Sequence, residues 1–549
     1  MAGKATAHDY AQTILLHSRT TPDLSLFPGH NYRTLANFLY QPYASPTKNG
    51  SVALSTQSQY KPLVVLYKYT KDGVIHQLQY EPTPTGLENL ESDTGSACDA
   101  GKVLFLNGFI PPEWLNLIGS QYRVDPEFFR QHLRFMQPER QLDLPGLHST
   151  SRNIIRLPLI SIGTWTLDQP LRGRGSLVHQ RSIAREKTRS YLKGLGATTP
   201  AGQSIVRGVM INDEAYFTVK QELNICVETK DGGWTALCWL DGDLDLDATV
   251  FNPTQQDGDD VIPRQSHWIL PTYLHRPKIA LVGPALVEPL NAANQQPWRG
   301  YSSISKLYGR HLDTHCAHQD AFYALTELFA ISAFSVNQGL NLVEQCMDSQ
   351  TTTSISDMQA SLENLRQSKA FVRTQMSQLQ TSLGIIETQG PTGAKWPRAT
   401  GAKQRDLVTT ASTELSHDYT HLHNRTTTLL ERISSESEWL MHRAMLNESQ
   451  RAFSQGSRVA RLTFLAFLFI PLSFTSSVFG MNVVEFVGRD QADLSIWSWV
   501  VLSVAVFSGS LLLWWWEGVQ RYALALQGLF GRGDAREGHT RKGEDREVM

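Results

Sequence analysis

A chain of 549 residues is too long for one ordinary hydrophobic core, so we expect two or more structural units. The formal net charge of −2 gives no reason to expect nucleic acid as a partner. The five cysteines are scattered and lack the paired spacing of a zinc site, which favours free thiols in a reducing compartment. The first 20 residues contain no continuous apolar stretch, so we expect no signal peptide and a cytosolic N-terminal part.

The N-terminal half carries signals of both strands and helices. Residues 1–60 are rich in Ser, Thr, Pro and Tyr, which predicts an irregular segment. Asp125 and Pro126 are typical of a helix start and predict a helix over 127–136. We therefore expect a cytosolic α/β domain over 61–310, within a protein of the α+β class. Apolar or alternating runs bounded by turn residues predict strands at 63–69, 103–106, 154–162, 205–211, 223–228 and 235–240.

From about residue 311 the pattern becomes helical and strand signals end. Helices are predicted over 320–345 and 358–383, followed by a break at the Gly- and Pro-rich stretch 390–401. No proline occurs between Pro397 and Pro471, so a single helix is predicted over 406–479. At ~1.5 Å per residue this helix would be roughly 110 Å long, which exceeds the thickness of a membrane. We assign 311–460 to a long-helix stalk region.

Two apolar runs near the C-terminus are each long enough to cross ~30 Å of hydrocarbon. We predict transmembrane helices at 461–480 and 494–516, an extracytosolic loop at 481–493 and a polar tail at 517–549. Arginines precede the first run and follow the second. The loop between them contains one Arg and three acidic residues, Glu485, Asp490 and Asp493. The positive-inside rule then places both termini in the cytosol. We expect an integral protein of the plasma membrane, in contact with lipids. The alternative is a pair of buried core helices in a soluble protein.

The first run ends with Gly480, Met481 and Asn482, and a second apolar run follows after a short loop. This arrangement resembles the CorA superfamily of magnesium channels, and residues 461–482 resemble that family's first span at nearly every position. Stretches at 103–115 and 125–133 resemble its divergent fungal members more weakly. Since two helices enclose no pore, transport would require several copies of the chain. The resemblance implies a homopentamer in which the first span lines a central pore.

Counting back from Asn482 in helical steps of three and four defines a stripe on one face of the first span. An apolar ring on this stripe could gate by dewetting, and hydroxyls could ligate a hydrated cation. The alternative is that Ser473 and Ser477 only aid close helix packing. These positions also match the pore-lining positions of the family. They are Gly456, Val459, Leu462, Ala466, Ile470, Ser473 and Ser477.

The metal site implied by the resemblance is Gly480, Met481 and Asn482. Mg²⁺ sheds water reluctantly, so a ring of Asn482 amide oxygens with the Gly480 carbonyl suits a hydrated ion. Met481 is expected to pack, because a thioether is a soft ligand. Acidic side chains of the loop could concentrate divalent cations at the mouth, although an ordinary solvated loop would carry them too. They are Glu485, Asp490 and Asp493. We expect no cofactor; the transported ion would be Mg²⁺, with Zn²⁺, Co²⁺ and Ni²⁺ as other candidates.

The chain also departs from the family pattern. Bacterial members place an acidic residue on the stalk where this chain has Met445, and an Asn where it has Gly456. We therefore do not expect intracellular Mg²⁺ to regulate the protein through that stalk site. Phe479 stands where the family usually has Tyr, which removes one hydrogen-bond donor near the predicted filter.

Two groups of histidines lie in the helical region. His311, His315, Cys316 and His318 open one helix, and three further histidines lie on a later helix, so the two helices could form a zinc site if they pack together. The alternative is that these are ordinary surface histidines without metal. The aspartates of 241–247 lack the glycine and distal Glu of a calcium loop. We find no nucleophile or phosphate-binding motif and expect no enzyme. The alternatives to a Mg²⁺ channel are a Zn²⁺ transporter like ZntB and a non-conducting, membrane-anchored sensor or scaffold.

Overall fold

The chain divides into two compact units, Met1–Leu440 and Met441–Met549, and each is described by itself. The computed structural model describes residues 6–21, 23, 26, 29–44, 62–94, 101–136, 146–147, 153–165, 175–196, 199–213, 215–230, 233–242, 266–269, 301–350, 358–391, 396–480, 497, 499–509, 511–512 and 515–516.

The N-terminal segment is not the irregular stretch that its composition predicted. It contains helix α1 (Ala7–Ser18), a short 3-10 helix (Gly29–Tyr32) and helix α2 (Arg33–Ala44). Thr6 and Asp9 form a reciprocal capping box at the start of α1, with backbone-to-side-chain bonds of 2.9 and 3.2 Å. Most apolar side chains of both helices are buried, although Leu16 is 61% exposed, so the Ser- and Thr-rich composition concealed two amphipathic helices.

The described strands form one eight-stranded sheet in the order β2-β1-β3-β7-β6-β4-β8, with β5 paired to β6. Only β3 and β7 pair in parallel among these described strands; all other neighbours are antiparallel. The six predicted strands are confirmed, and β2 and β8 are additional. The strands are β1 (Val64–Tyr69), β2 (Ile75–Tyr80), β3 (Gly101–Asn107), β4 (Ile154–Trp165), β5 (Gly208–Ile211), β6 (Tyr216–Lys230), β7 (Gly233–Leu240) and β8 (Ser266–Ile269).

Helices account for most of the remaining described residues. Asp125 caps the predicted helix at its start, accepting a 2.9 Å bond from the Glu127 amide. The helix ends earlier than predicted, at His132, and a 3-10 turn (Arg134–Met136) follows. The His132 carbonyl, which has no partner within the helix, accepts a bond from Arg207. The helices are α3 (Pro84–Thr94), α4 (Pro112–Tyr122), α5 (Pro126–His132), α6 (Gly175–Gly194), α7 (Ile304–Leu307), α8 (Thr314–Gln319), α9 (Ala321–Gln350), α10 (Met358–Glu387) and α11 (Ala402–Gly480).

The first unit has three layers, because alternate residues of each strand point to opposite faces of the sheet. Val65 and Tyr67 pack in one cluster with apolar residues of α9, α10 and α11. Val64 and Leu66 pack in a second cluster with α1, α2, α4 and α5. The strands β1, β3 and β7 are therefore buried on both faces, whereas β2 is partly exposed, and the mixed α+β class is confirmed.

The second unit contains the C-terminal part of α11 and a short apolar helix, α12 (Trp499–Gly509). Within the described residues, α11 is the one helix that is long and apolar enough to cross a membrane, judged by length and composition. The second predicted span, 494–516, is described only in part, so two membrane crossings remain a prediction.

Candidate functional site

The long helix α11 places the whole predicted pore stripe on one continuous element. Its seven positions follow one another at intervals of three or four residues, so they share one side of the helix. All seven are exposed in the single chain, including Val459 at 61%, Leu462 at 66% and Ile470 at 66%. The stripe comprises Gly456, Val459, Leu462, Ala466, Ile470, Ser473 and Ser477. The stripe therefore consists mainly of exposed aliphatic residues, and its end nearest Gly480 carries the hydroxyls of Ser473 and Ser477.

Helix α12 covers a different side of α11. Ser503 on α12 donates a 3.0 Å hydrogen bond to Oγ1 of Thr475, which in turn donates to the Leu472 carbonyl at 3.0 Å. Thr475 and Ser503 are both buried. At 3.6 residues per turn, Thr475 lies about 160° around the helix from Ser473 and Ser477. The partner helix thus leaves the stripe uncovered.

Beyond Arg461, the residues around the stripe are uncharged, and most of them are apolar. No charged residue occurs between Arg461 and the end of α11 at Gly480. Phe464, Phe469 and Phe474 are more than half exposed, although they lie outside the stripe. A helix that is apolar all round is typical of one surrounded by lipid or protein. This environment suits a membrane-embedded segment.

The predicted ion-binding residues are only partly described. Gly480 is the last residue of α11. The other residues of the predicted metal site and its acidic loop lie outside the described residues, so their roles remain predictions. They are Met481, Asn482, Glu485, Asp490 and Asp493.

The stalk positions that depart from the bacterial pattern are exposed. Met445 is 68% exposed, and Gly456 has open space around it. Of the nearby carboxylates, Glu436 forms a 3.0 Å ion pair with Arg432, whereas Glu438 and Glu448 are exposed. A neutral thioether therefore stands where an acidic ligand would be needed for Mg²⁺.

Within the described part of the chain, no group of three His, Cys, Asp or Glu side chains could hold a metal ion. The zinc cluster considered around His311, His315 and His318 therefore does not form. The neighbouring Cys316 is buried, with its thiol 3.6 Å from the Gln404 carbonyl. Asp241, which opens the acidic run, is buried and paired with Arg207, so it is not available as a calcium ligand.

A buried ionic network in the first unit escaped the sequence analysis. Arg207 donates to both carboxylate oxygens of Asp241, at 2.7 and 2.8 Å, and Arg134 does the same to Glu222, at 2.9 and 2.6 Å. His132 stacks on the Trp239 ring and lies 3.2 Å from the Asp241 carboxylate. Burial, reinforced by the Arg207 charge, lowers the pKa of His132 to about 4.

The Glu222 carboxylate of this network carries charge despite its burial. Burial would raise the pKa of Glu222, but the Arg207 and Arg134 guanidiniums lower it well below its usual range. Asp241 also accepts a 2.6 Å bond from the Glu222 amide and so ties β7 to β6. His132 and Asp241 are more than a hundred residues apart along the chain, so no local spacing pattern signals this network.

Comparison with known proteins gives one family match. Residues 335–516 match the model of the CorA-like Mg²⁺ transporter protein family, a segment that contains the stripe and the Gly480-Met481-Asn482 end of the helix. No curated protein sequence matches this chain.

Two solved structures are similar over most of their length. The CorA magnesium transporter from Methanocaldococcus jannaschii is 10% identical, with 82% of this chain and 97% of that chain covered and a TM-score of 0.29. The full-length CmaX protein is 14% identical, with 84% and 99% covered and a TM-score of 0.29. These TM-scores are too low to establish a shared overall geometry.

Proposed function

We propose, from the premise that residues 335–516 form a CorA-like Mg²⁺ transporter domain, that this protein moves divalent metal cations across a membrane. The ion is Mg²⁺, and the pathway runs along the first membrane-spanning helix of a homopentamer. One observation carries the proposal: the stripe from Gly456 to Ser477 is exposed in the single chain, while α12 covers another side of the same helix.

An exposed stripe next to a covered side suits a closed ring of subunits. Exposed aliphatic residues such as Leu462 and Ile470 can be covered by lipid or by a further copy of the chain, and a further copy adds close packing between helices. Cyclic association places the same face of every subunit around one axis and leaves the second helix outside. Five copies are the number that the family resemblance implies.

The chemistry of the stripe suits a cation that keeps its water. Ser473 and Ser477 offer hydroxyls toward the Gly480 end, and the stripe carries no charge that would hold a dication permanently. Asn482 would then contact the hydrated ion at the mouth through its amide oxygen. Because Mg²⁺ keeps several of its waters in most protein sites, neutral oxygen ligands are sufficient. Leu462 and Val459 would form the apolar part that controls wetting.

A flux assay tests the proposal directly. The purified full-length protein is reconstituted in liposomes, and uptake of Mg²⁺, Zn²⁺, Co²⁺ and Ni²⁺ is followed with dyes trapped inside. We expect Mg²⁺ uptake driven by its gradient alone, from a protein whose native mass is that of five chains. Uptake of Zn²⁺ without Mg²⁺ would assign the Zn²⁺ alternative. Stable pentamers with no flux of any ion would instead identify a sensor or scaffold.

A further inference from the structure

A groove in the first unit lies between helix α6 and strand β5. It consists of two adjoining cavities, of about 770 and about 240 Å³, which share Arg185, Gly208 and Val209 as lining residues. Phe135, Met136 and Leu192 line the larger cavity, and Phe371 lines the smaller one. The larger volume lies in the range of sites that bind drug-sized molecules.

The lining is strongly basic. No Asp or Glu belongs to it among the residues that the structure describes. Two of its cations are already engaged: Arg207 with Asp241, and Arg181 with Asn364 and the Ile211 carbonyl. The full set of cations is Arg181, Arg185, Arg189, Lys193, Arg207 and Lys220.

The other cations have little or no counter-charge. In the described part of the chain, Arg185, Lys193 and Lys220 have no hydrogen-bond acceptor or ion-pair partner. Arg189 approaches Glu186 at 3.6 Å, but both side chains are about seven-tenths exposed, so the pair is weak. Arg185 and Lys193 are exposed, so water solvates their charge and both side chains are accessible to an anion.

Helix α6 concentrates this charge on one face. Arg185, Arg189 and Lys193 recur at intervals of four residues and all line the larger cavity. Like charges at this spacing repel one another along a helix. In the smaller cavity, burial lowers the pKa of Lys220, whose ammonium lies 5.1 Å from the centre of the Phe371 ring. The larger cavity, which holds the row of three cations, therefore favours a ligand with several negative charges.

We propose that this groove binds a nucleoside triphosphate, with its phosphates on Arg185, Arg189 and Lys193 and its base against Phe135, Met136 and Leu192. Guanidinium groups match phosphate oxygens in bidentate geometry, and three cations in one row match a chain of three phosphates. The apolar residues that line the larger cavity provide a surface for a base. A small inorganic anion would leave that surface unused. The site does not depend on the proposed ion pathway.

Equilibrium binding of labelled ATP to the full-length protein in detergent tests the site. We expect saturable binding that the double substitution R185Q/R189Q weakens by about tenfold or more, because two charge-assisted contacts are lost. The matched control is K403Q/R405Q, which removes two exposed cations of α11 outside the groove. This control is expected to bind ATP as the unmodified protein does. A single substitution, K193Q, should weaken binding to a smaller extent.

The competing anions distinguish the possible sources of phosphate. Inorganic tripolyphosphate should compete more weakly than ATP, because it lacks the base. Equal competition by tripolyphosphate would overturn the nucleotide assignment. Binding to vesicles of anionic phosphoinositides that is lost in R185Q/R189Q, without competition from ATP, would identify a lipid surface instead. Absence of saturable ATP binding, or equal binding by R185Q/R189Q and the unmodified protein, would overturn the proposal.

Discussion

Ser503 Oγ donates a 3.0 Å hydrogen bond to Thr475 Oγ1, and this buried bond joins α12 to α11 on the side away from the stripe. A hydroxyl bond between apolar helices is modest in strength but specific in direction. It sets which side of α11 remains available for contact with other copies of the chain.

We therefore expect Ser503→Ala to loosen the helix pair by about 0.6 kcal/mol, the average for such bonds between membrane helices. The matched control is Ser508→Ala, because Ser508 is an exposed serine of the same helix. The midpoint of thermal unfolding in detergent is the measurement. Equal midpoints for the two variants would show that the Ser503–Thr475 bond does not hold the pair.

Asn482→Ala is expected to reduce Mg²⁺ uptake in liposomes to background, because alanine offers no side-chain oxygen to the hydrated ion. Its oligomeric mass should stay unchanged. Asn447→Ala is the same chemical change on the stalk, outside the stripe, and should leave uptake intact. Undiminished uptake by Asn482→Ala would remove Asn482 from the ion pathway.

Leu462→Ser is expected to raise the resting flux severalfold, because a hydroxyl in the apolar part of the stripe favours wetting. Leu462 is 66% exposed in the single chain, and Leu502 on α12 provides the same leucine-to-serine change off the stripe. Flux through Leu502→Ser should match that of the unmodified protein. If the two variants gave the same flux, the stripe would not line the pathway.

Met445 leads to a prediction about regulation. Chelation of Mg²⁺ on the cytosolic side should change currents little, because a thioether binds Mg²⁺ poorly. Met445→Asp should introduce inhibition by millimolar Mg²⁺, whereas Leu446→Asp, at an equally exposed neighbouring position, should not. Steep inhibition of the unmodified protein that disappears when Glu436, Glu438 or Glu448 is neutralised would show that a regulatory site exists elsewhere on the stalk.

The buried His132 predicts a pH dependence of stability. Its pKa is about 4 in the folded state against an ordinary value of 6.5, so the unfolded chain takes up the proton first. The free energy of unfolding is therefore not reduced by His132 above pH 6.5. It decreases as the pH falls from 6.5 toward 4, by up to about 1.4 kcal/mol per pH unit.

Chemical unfolding between pH 7.5 and 4.5 measures this dependence. His132→Gln should flatten the curve in that window, because glutamine takes up no proton. His421→Gln changes an exposed histidine and should leave the slope unchanged. An unaltered slope in His132→Gln would assign the acid sensitivity to other groups, such as the carboxylates of the ionic network.

Several elements follow from local sequence signals alone. The absence of proline between Pro397 and Pro471 predicts a single long helix, and α11 extends from Ala402 to Gly480. Continuous apolar runs predict β1, β3 and β7 because these strands are buried on both faces. The helices α1 and α2 could not be recognised in the same way. Their apolar faces are short, and their burial depends on packing against each other and against α4.

The sequence by itself determined the apolar segments, the order of charges around them and the stripe that ends at Gly480-Met481-Asn482, because helical periodicity and hydropathy are local properties. Only the tertiary structure decided which groups meet across long separations in the chain. It brings Arg207 to Asp241, Lys220 to Phe371 and Ser503 to Thr475. These contacts depend on how helices and strands pack, and no spacing of residues along the chain encodes that packing.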